Sequence, residues 1–252
     1  MTTASPANQS WQAIAADLRR QLDAGEYQAG SWLPPRRDLM DLYGAADRTI
    51  ARALHQLRDD GYLIARSTAG WIVRGQRSVV RSTRNRLSRN ERSAGRGAFV
   101  TDCHAAGLIP TVRNEVRVEA STEAVADALH IEHGAPVCVR DRVMAADNEV
   151  LQLATSYLPR NITKGTQIED DNSGPGGIYA RLEELGYELS SYTERVSIGR
   201  ADEQEAKQMN ISPGEPVYRL WRTAWSSETP VEVNNITITG NRYELVYELP
   251  AN

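Results

Sequence analysis

Cysteine is almost absent from this chain of 252 residues, which holds two, Cys103 and Cys138. Two thiols close at most one bridge and cannot build a Cys-rich zinc site, so neither a disulfide framework nor a metal-held fold is expected, and the thiols read as buried and free. Histidine is scarce as well, with four residues. His130 and His133, the only close pair, stand in a turn without further ligands, so no metal and no cofactor are expected. No apolar run approaches the ~18 residues needed to cross a bilayer. The opening MTTASPANQSW lacks the basic-then-apolar pattern of a signal peptide, and the expectation is a cytoplasmic protein with no membrane association. What remains is an ordinary globular balance, 40% hydrophobic and 25% charged, long enough for two modest domains with their own cores.

The charge is divided unevenly along the chain. Residues 1–97 hold 16 Arg against 9 acidic residues, a balance of +7, and the remainder has a balance of −11. Much of the excess lies in 74-RGQRSVVRSTRNRLSRNERSAGR-96, eight Arg against Glu91 alone. Rich in Arg, Ser and Asn and poor in apolar residues, it reads as a linker over 76–96; a polyanion-binding arm and a merely solvated tether are both open.

The first third carries a helix-turn-helix pattern. Ser10 precedes Trp11, Ile14, Ala15, Leu18 and Leu22, the spacing of one helical face, and predicts a helix over about 10–24. SWLPPRRDLMDLYG places Pro at the start of a short second helix with Leu39, Leu42 and Tyr43 as its buried side and Gly44 at its end. Asp47 is placed to cap a third helix, with Ile50, Leu54 and Leu57 at helical spacing and Gly61 as its stop. YLIAR and GWIVR, separated by residues 67–70, read as a β-hairpin. Three helices and a hairpin make a winged helix-turn-helix domain over 1–75, the helix-turn-helix itself at about 35–58, whose third helix enters the major groove of double-stranded DNA. Arg36 and Arg37 begin helix two; Arg48, Thr49 and Arg52 lie on the first turns of helix three. Arg suits these places because its planar fork grips a guanine edge or a phosphate with two hydrogen bonds.

These residues resemble the amino-terminal domain of GntR-family transcription regulators. The resemblance runs over about 9–75 and includes D-x-G-x-Y-x-x-G-x-x-LP and the D-G-Y-L approach to the wing. It places the family's helix-two basic residue on Arg37 and its wing glycine on Gly70, and it departs at Asp47 and Ala51, where the family has Arg. A side chain displaced by one position turns about 100° around a helix, so the departure implies an operator unlike the family's common one.

The second half contains a duplication. At an offset of 80 residues, Glu123 meets Glu203, Ile131 meets Ile211, the GxPV of Gly134, Pro136 and Val137 meets Gly214, Pro216 and Val217, and Arg142 meets Arg222. Each copy reads as strand, short helix, strand, strand, and two copies make an α+β domain with one antiparallel sheet. This half, 97–250, resembles the UTRA domain of the HutC subfamily, with a chorismate lyase-like fold; 104-HAAGLIPTVRNEV, 156-SYLPRN, 176-GGIYARLEELG and 238-ITGNRYELVYEL carry the likeness with the GxPV element. The resemblance implies a homodimeric repressor acting on an inverted-repeat operator and controlled by a small-molecule effector, anionic or hydroxylated. It carries Phe99, Arg140, Arg142, Tyr179 and Glu232 over as effector-binding positions. On the residues alone, Arg140 and Arg142 share one strand face and form an anion fork, and a structural salt bridge from Arg142 is the competing reading, since the second copy keeps Arg222. No arrangement of nucleophile and base and no phosphate loop appears, so catalysis is not expected. A closed, ligand-free dimerisation domain is the alternative to a sensor.

Overall fold

The structure is a computed structural model and describes residues 9–66, 70–74, 79–82, 97–147 and 149–248. The chain divides into two compact units, Met1–Arg77 and Ser78–Asn252.

In the first unit, α1 (Trp11–Asp23) begins at Ser10, whose hydroxyl accepts the Ala13 N–H at 3.2 Å. α2 (Arg36–Tyr43) follows Pro35 and ends at Gly44 in the left-handed region, φ 59°; α3 (Asp47–Asp59) buries Ile50, Ala53, Leu54 and Leu57. These pack with Ile14, Leu18, Leu39 and Tyr43 into one core, closed from below by Leu63 of β1 (Leu63–Arg66) and by Trp71 and Val73 of β2 (Gly70–Val73). β1 and β2 pair antiparallel, and Leu33 and Ser31 add a third short edge through the Leu33 N–H to Trp71 C=O and Val73 N–H to Ser31 C=O bonds, 2.8 and 2.9 Å. The tip of the hairpin, residues 67–69, lies outside the described residues.

Two expectations are corrected here. Leu42 is 60% exposed, because an eight-residue helix turns only Leu39 and Tyr43 fully inward. Asp47 is the first helical residue rather than the cap; Ala46 takes that place, and the Asp47 carboxylate pairs with Arg36 Nε at 3.2 Å instead.

The second unit is a six-stranded antiparallel sheet with strand order β4-β5-β6-β9-β8-β7. The first repeat supplies β4 (Pro110–Ala120), α5 (Glu123–Leu129), β5 (Pro136–Ala146) and β6 (Glu149–Pro159); the second supplies β7 (Ser191–Arg200), α8 (Glu203–Met209), β8 (Pro216–Ser226) and β9 (Thr229–Thr239). The 80-residue offset survives in the backbone. His130 and Asn210 both end their helices at φ 53°, Gly134 and Gly214 turn at 78° and 81°, and Asp147 and Ser227 at 47° and 52°. The repeats exchange their helices: α5 packs against β9, and α8 against β6. Each repeat therefore buries its helix partly on the other's central strand. The Val137, Val139 and Val233 face lies under α5, whereas the alternate residues point to the opposite face. That face is covered by α4 (Ala98–Ala105), α6 (Arg160–Thr163), a 3₁₀ turn at Gln167–Glu169 and α7 (Gly177–Glu184).

Within the segment read as a linker, Val79–Ser82 forms β3, which pairs in parallel with β10 (Tyr243–Val246). Val79 is fully buried beside Phe99, Leu220 and Tyr243. Arg81, 3% exposed, meets Glu194 of β7 in a bidentate ion pair at 2.7 and 2.5 Å. A stretch read as a linker thus holds a strand anchored by a buried charge pair.

Candidate functional site

On the first unit, Arg37 and Arg48 are exposed at the starts of α2 and α3, and Thr49 is half-buried beneath them. Arg36 and Arg52 are engaged within the unit: Arg36 with Asp47, and Arg52 with its guanidinium 4.4 Å from the ring of Trp11. Gly70 heads β2 at φ 121°, a conformation that favours glycine, with the Trp32 ring 3.7 Å from where a Cβ would stand. The exposed basic ends of two helices are a surface suited to a phosphate backbone.

On the second unit, the sheet register aligns polar residues from five strands in one row. Glu194 on β7 stands opposite Arg222 on β8, Arg222 opposite Asn234 on β9, Asn234 opposite Ser156 on β6, and Ser156 opposite Arg140 on β5. Residues directly opposite share a face, and Arg140, Asn234 and Arg222 of this row line one cavity. The cavity has a volume of about 380 Å³ and is lined by all five of Phe99, Arg140, Arg142, Tyr179 and Glu232. α4 brings Phe99, 2% exposed, over one end, and the glycines before α7 let the chain fold Tyr179 over the other.

Glu232 is fully buried and is held by hydroxyls: Ser156 Oγ donates to Oε1 at 2.5 Å and Tyr179 Oη to Oε2. Burial, reinforced by the neighbouring carboxylate, pushes the Tyr179 phenol well above its ordinary value, so it stays a donor. Arg142 donates to Ser156 Oγ. With its amide turned to satisfy its neighbours, Asn234 Oδ1 accepts from Nη2 of Arg142 at 3.0 Å and of Arg222 at 3.2 Å. The Arg222 guanidinium lies 5.9 Å from the ring centres of Tyr179 and Tyr192. Burial lowers the pKa of Arg142, and burial together with the charge of Arg142 lowers that of Arg140. Burial opposes the charge on Arg222 too, but Tyr179, Glu232 and Glu194 around it hold its pKa up.

Arg140 does not act as half of a free fork. Its Nη1 donates to the carbonyls of Ile168 and Asp170, both at 2.5 Å, and Nη2 to that of Asp171 at 3.0 Å. The salt bridge weighed for Arg142 is not formed with any described carboxylate. Ser156, Arg222 and Asn234 were missing from the sequence-derived set. For Arg222 the signal was present in the duplication; for the other two it lies in strand register, which the sequence does not display. Among the described residues no group of three or more His, Cys, Asp or Glu is placed to hold a metal ion, and no helix is long and apolar enough to cross a membrane.

Comparison with known proteins adds the following. The UTRA domain model matches residues 111–244, and the model of bacterial regulatory proteins of the gntR family matches residues 11–73. An uncharacterized HTH-type transcriptional regulator of Streptomyces coelicolor is 30% identical over 254 residues, covering 97% of this chain and 94% of that one. The histidine utilization repressor of Pseudomonas putida is 24% identical, over 90% of this chain and 86% of its own length. Among solved structures, PhnF from Mycobacterium smegmatis matches with a TM-score of 0.61 at 21% identity, over 95% of this chain and all of that one, a likeness of fold.

Proposed function

The chain belongs to the GntR family of bacterial regulatory proteins, in the branch that carries a UTRA domain, and from that premise we propose a repressor that binds an inverted-repeat operator as a homodimer and is controlled by a small anionic or hydroxylated molecule held in the second unit. Members of this family are DNA-binding transcription regulators rather than enzymes. The observation that carries the sensor half is the convergence of Phe99, Arg140, Arg142, Tyr179 and Glu232 on one cavity, since these positions are scattered over four elements and more than a hundred residues of chain. A cavity of about 380 Å³ floored by charged groups also speaks against a closed, ligand-free dimerisation domain. The reader half rests on Arg37 and Arg48 at two helix starts, with Gly70 at the wing. One short recognition helix touches too few bases for specificity, and a two-fold dimer supplies the second half-site.

Effector control then follows from linkage. A ligand preferring one arrangement of the dimer shifts operator affinity by its differential binding, typically about 1–3 kcal/mol, or roughly 5- to 150-fold. The experiment is selection of DNA fragments by the purified protein, followed by affinity measurement on the enriched sequence. Enrichment of a palindrome bound by a dimer, with binding that falls steeply with salt, is expected. A monomer of 27.9 kDa on DNA, or no enrichment, would overturn the reading.

A further inference from the structure

We infer that the anion-reading element of the cavity is the pair Arg142 and Arg222, the same position in the two repeats, and that Arg140 is a positioning residue for the segment that roofs the site. The inference deepens the effector reading above and rests on it.

Three guanidinia and one carboxylate face the cavity. Among the described residues, no carboxylate lies within the 4.0 Å of an ion pair from Arg140, Arg142 or Arg222. Glu232 is bonded to the Ser156 and Tyr179 hydroxyls, and Glu194, across from Arg222, is taken by both nitrogens of Arg81. The Arg140 charge is met by three main-chain carbonyls, which fix the turn at 168–171 just before the chain that covers the cavity. Arg142 and Arg222 hydrogen-bond and stack only with neutral groups, the Ser156 hydroxyl, one shared Asn234 oxygen and aromatic faces, while Glu232 and Glu194 act on them from beyond ion-pair distance. Two guanidinia bonded to one oxygen are close enough to repel, and Nε of each is buried without a hydrogen-bond acceptor. Three buried guanidinia facing one carboxylate leave the cavity with an excess of positive charge, which is disfavoured unless a partner offsets it. A ligand anion between the two offsets both desolvation and repulsion.

The fold explains why these two arginines meet. β6 and β9 are neighbours at the centre of the sheet, so the repeats are related about a line between them, and the equivalent Arg142 and Arg222 lie diagonally across it, both reaching Asn234. A symmetric pair of planar forks matches a group with two equivalent oxygens, a carboxylate or a phosphate monoester.

The test is thermal unfolding of the full chain at fixed ionic strength with acetate, methyl phosphate or neutral ethylene glycol. The wild type is expected to show a saturable rise in midpoint of about 2–4 °C with an anion and none with the glycol. Whichever of acetate and methyl phosphate half-saturates lower identifies the group. Arg222→Met should lose the response, while Arg195→Met, on the exposed edge strand, should keep it. Arg222→Lys preserves the charge but not the fork, and should need several-fold more anion; it serves if the Met variant does not fold. A wild type unmoved by either anion, or an Arg222 variant responding as wild type does, overturns the inference. Operator capture by the same proteins is scored separately: failure of the wild type there counts against the regulator reading and not against the anion site.

Discussion

Removing one partner of the Arg81–Glu194 pair tests whether the strand before the effector unit is anchored as described. Their side chains are 3% and 12% exposed, and the contact is bidentate. With Arg81→Met, Glu194 keeps the Tyr247 hydroxyl at 3.0 Å and the more distant charge of Arg222, and loss of one partner of a buried ion pair costs about 3–5 kcal/mol. At about 2–4 °C per kcal/mol for a unit of this size, the effector unit should melt about 6–20 °C lower at neutral pH. The sign with pH distinguishes this from general damage. In the wild type, burial raises the Glu194 pKa but the Arg81 guanidinium outweighs it and holds the carboxyl below its ordinary value. A depressed folded pKa gives stability that is present above the unfolded value and is lost only as pH falls through the folded one. Without Arg81, only the Arg222 charge and the Tyr247 hydroxyl still oppose burial, so the folded pKa rises from its wild-type position and the variant's deficit should shrink as pH is lowered through the carboxylate range. Glu194→Gln has no carboxyl to titrate at this site, so its deficit shrinks only as the wild type itself loses the ion pair, at lower pH than the Arg81→Met deficit does. The double variant should be more stable than the two single losses summed. Calorimetry of the four proteins at pH 7 and pH 4 measures all of this. A coupling under about 0.5 kcal/mol, or an Arg81→Met deficit independent of pH, would refute the reasoning.

On the reading surface, Arg37→Ala and Arg48→Ala should each weaken operator binding by about 1–3 kcal/mol. Arg52→Ala should weaken it less, since that guanidinium rests on Trp11, and Asp47→Ala should tighten binding by releasing Arg36 and removing a negative charge; fluorescence anisotropy on a selected fragment orders the four. Tyr179→Phe removes the donor to Glu232 Oε2 and should cost about 1–3 kcal/mol in chemical denaturation; a neutral effect would show that this hydroxyl is not what satisfies the carboxylate.

The parts of the fold that local chemistry determines were legible. Ser10, Pro35 and Gly44 mark helix ends, and the duplicated GxPV turn aligns two repeats whose backbone dihedrals agree within a few degrees. β3 was not legible, because Val79 and Val80 are a short apolar run among arginines and the strand that pairs with them comes at the far end of the chain. Leu42 misled because helical periodicity locates a face but not how much of a short helix the core covers. At the cavity, alternation along β5 placed Arg140 and Arg142 on one face correctly, but which one has spare donors depends on where residues 168–171 fold back. Ser156 and Asn234 join the site through cross-strand register, a non-local property that no spacing within one strand reveals.

The parallel pairing of β3 with β10 also sets an order of events during synthesis. Helices and wing of the first unit, and then β3, leave the ribosome early, whereas Tyr243–Val246 is among the last segments made. At roughly 5–20 residues per second, β3 waits on the order of ten to thirty seconds for the strand that completes its ribbon. Through that interval the first unit can close its own core, while β3 has nothing to pair with. A chain that terminates before Tyr243 therefore carries the sequence of the complete first unit and a β3 without its partner strand.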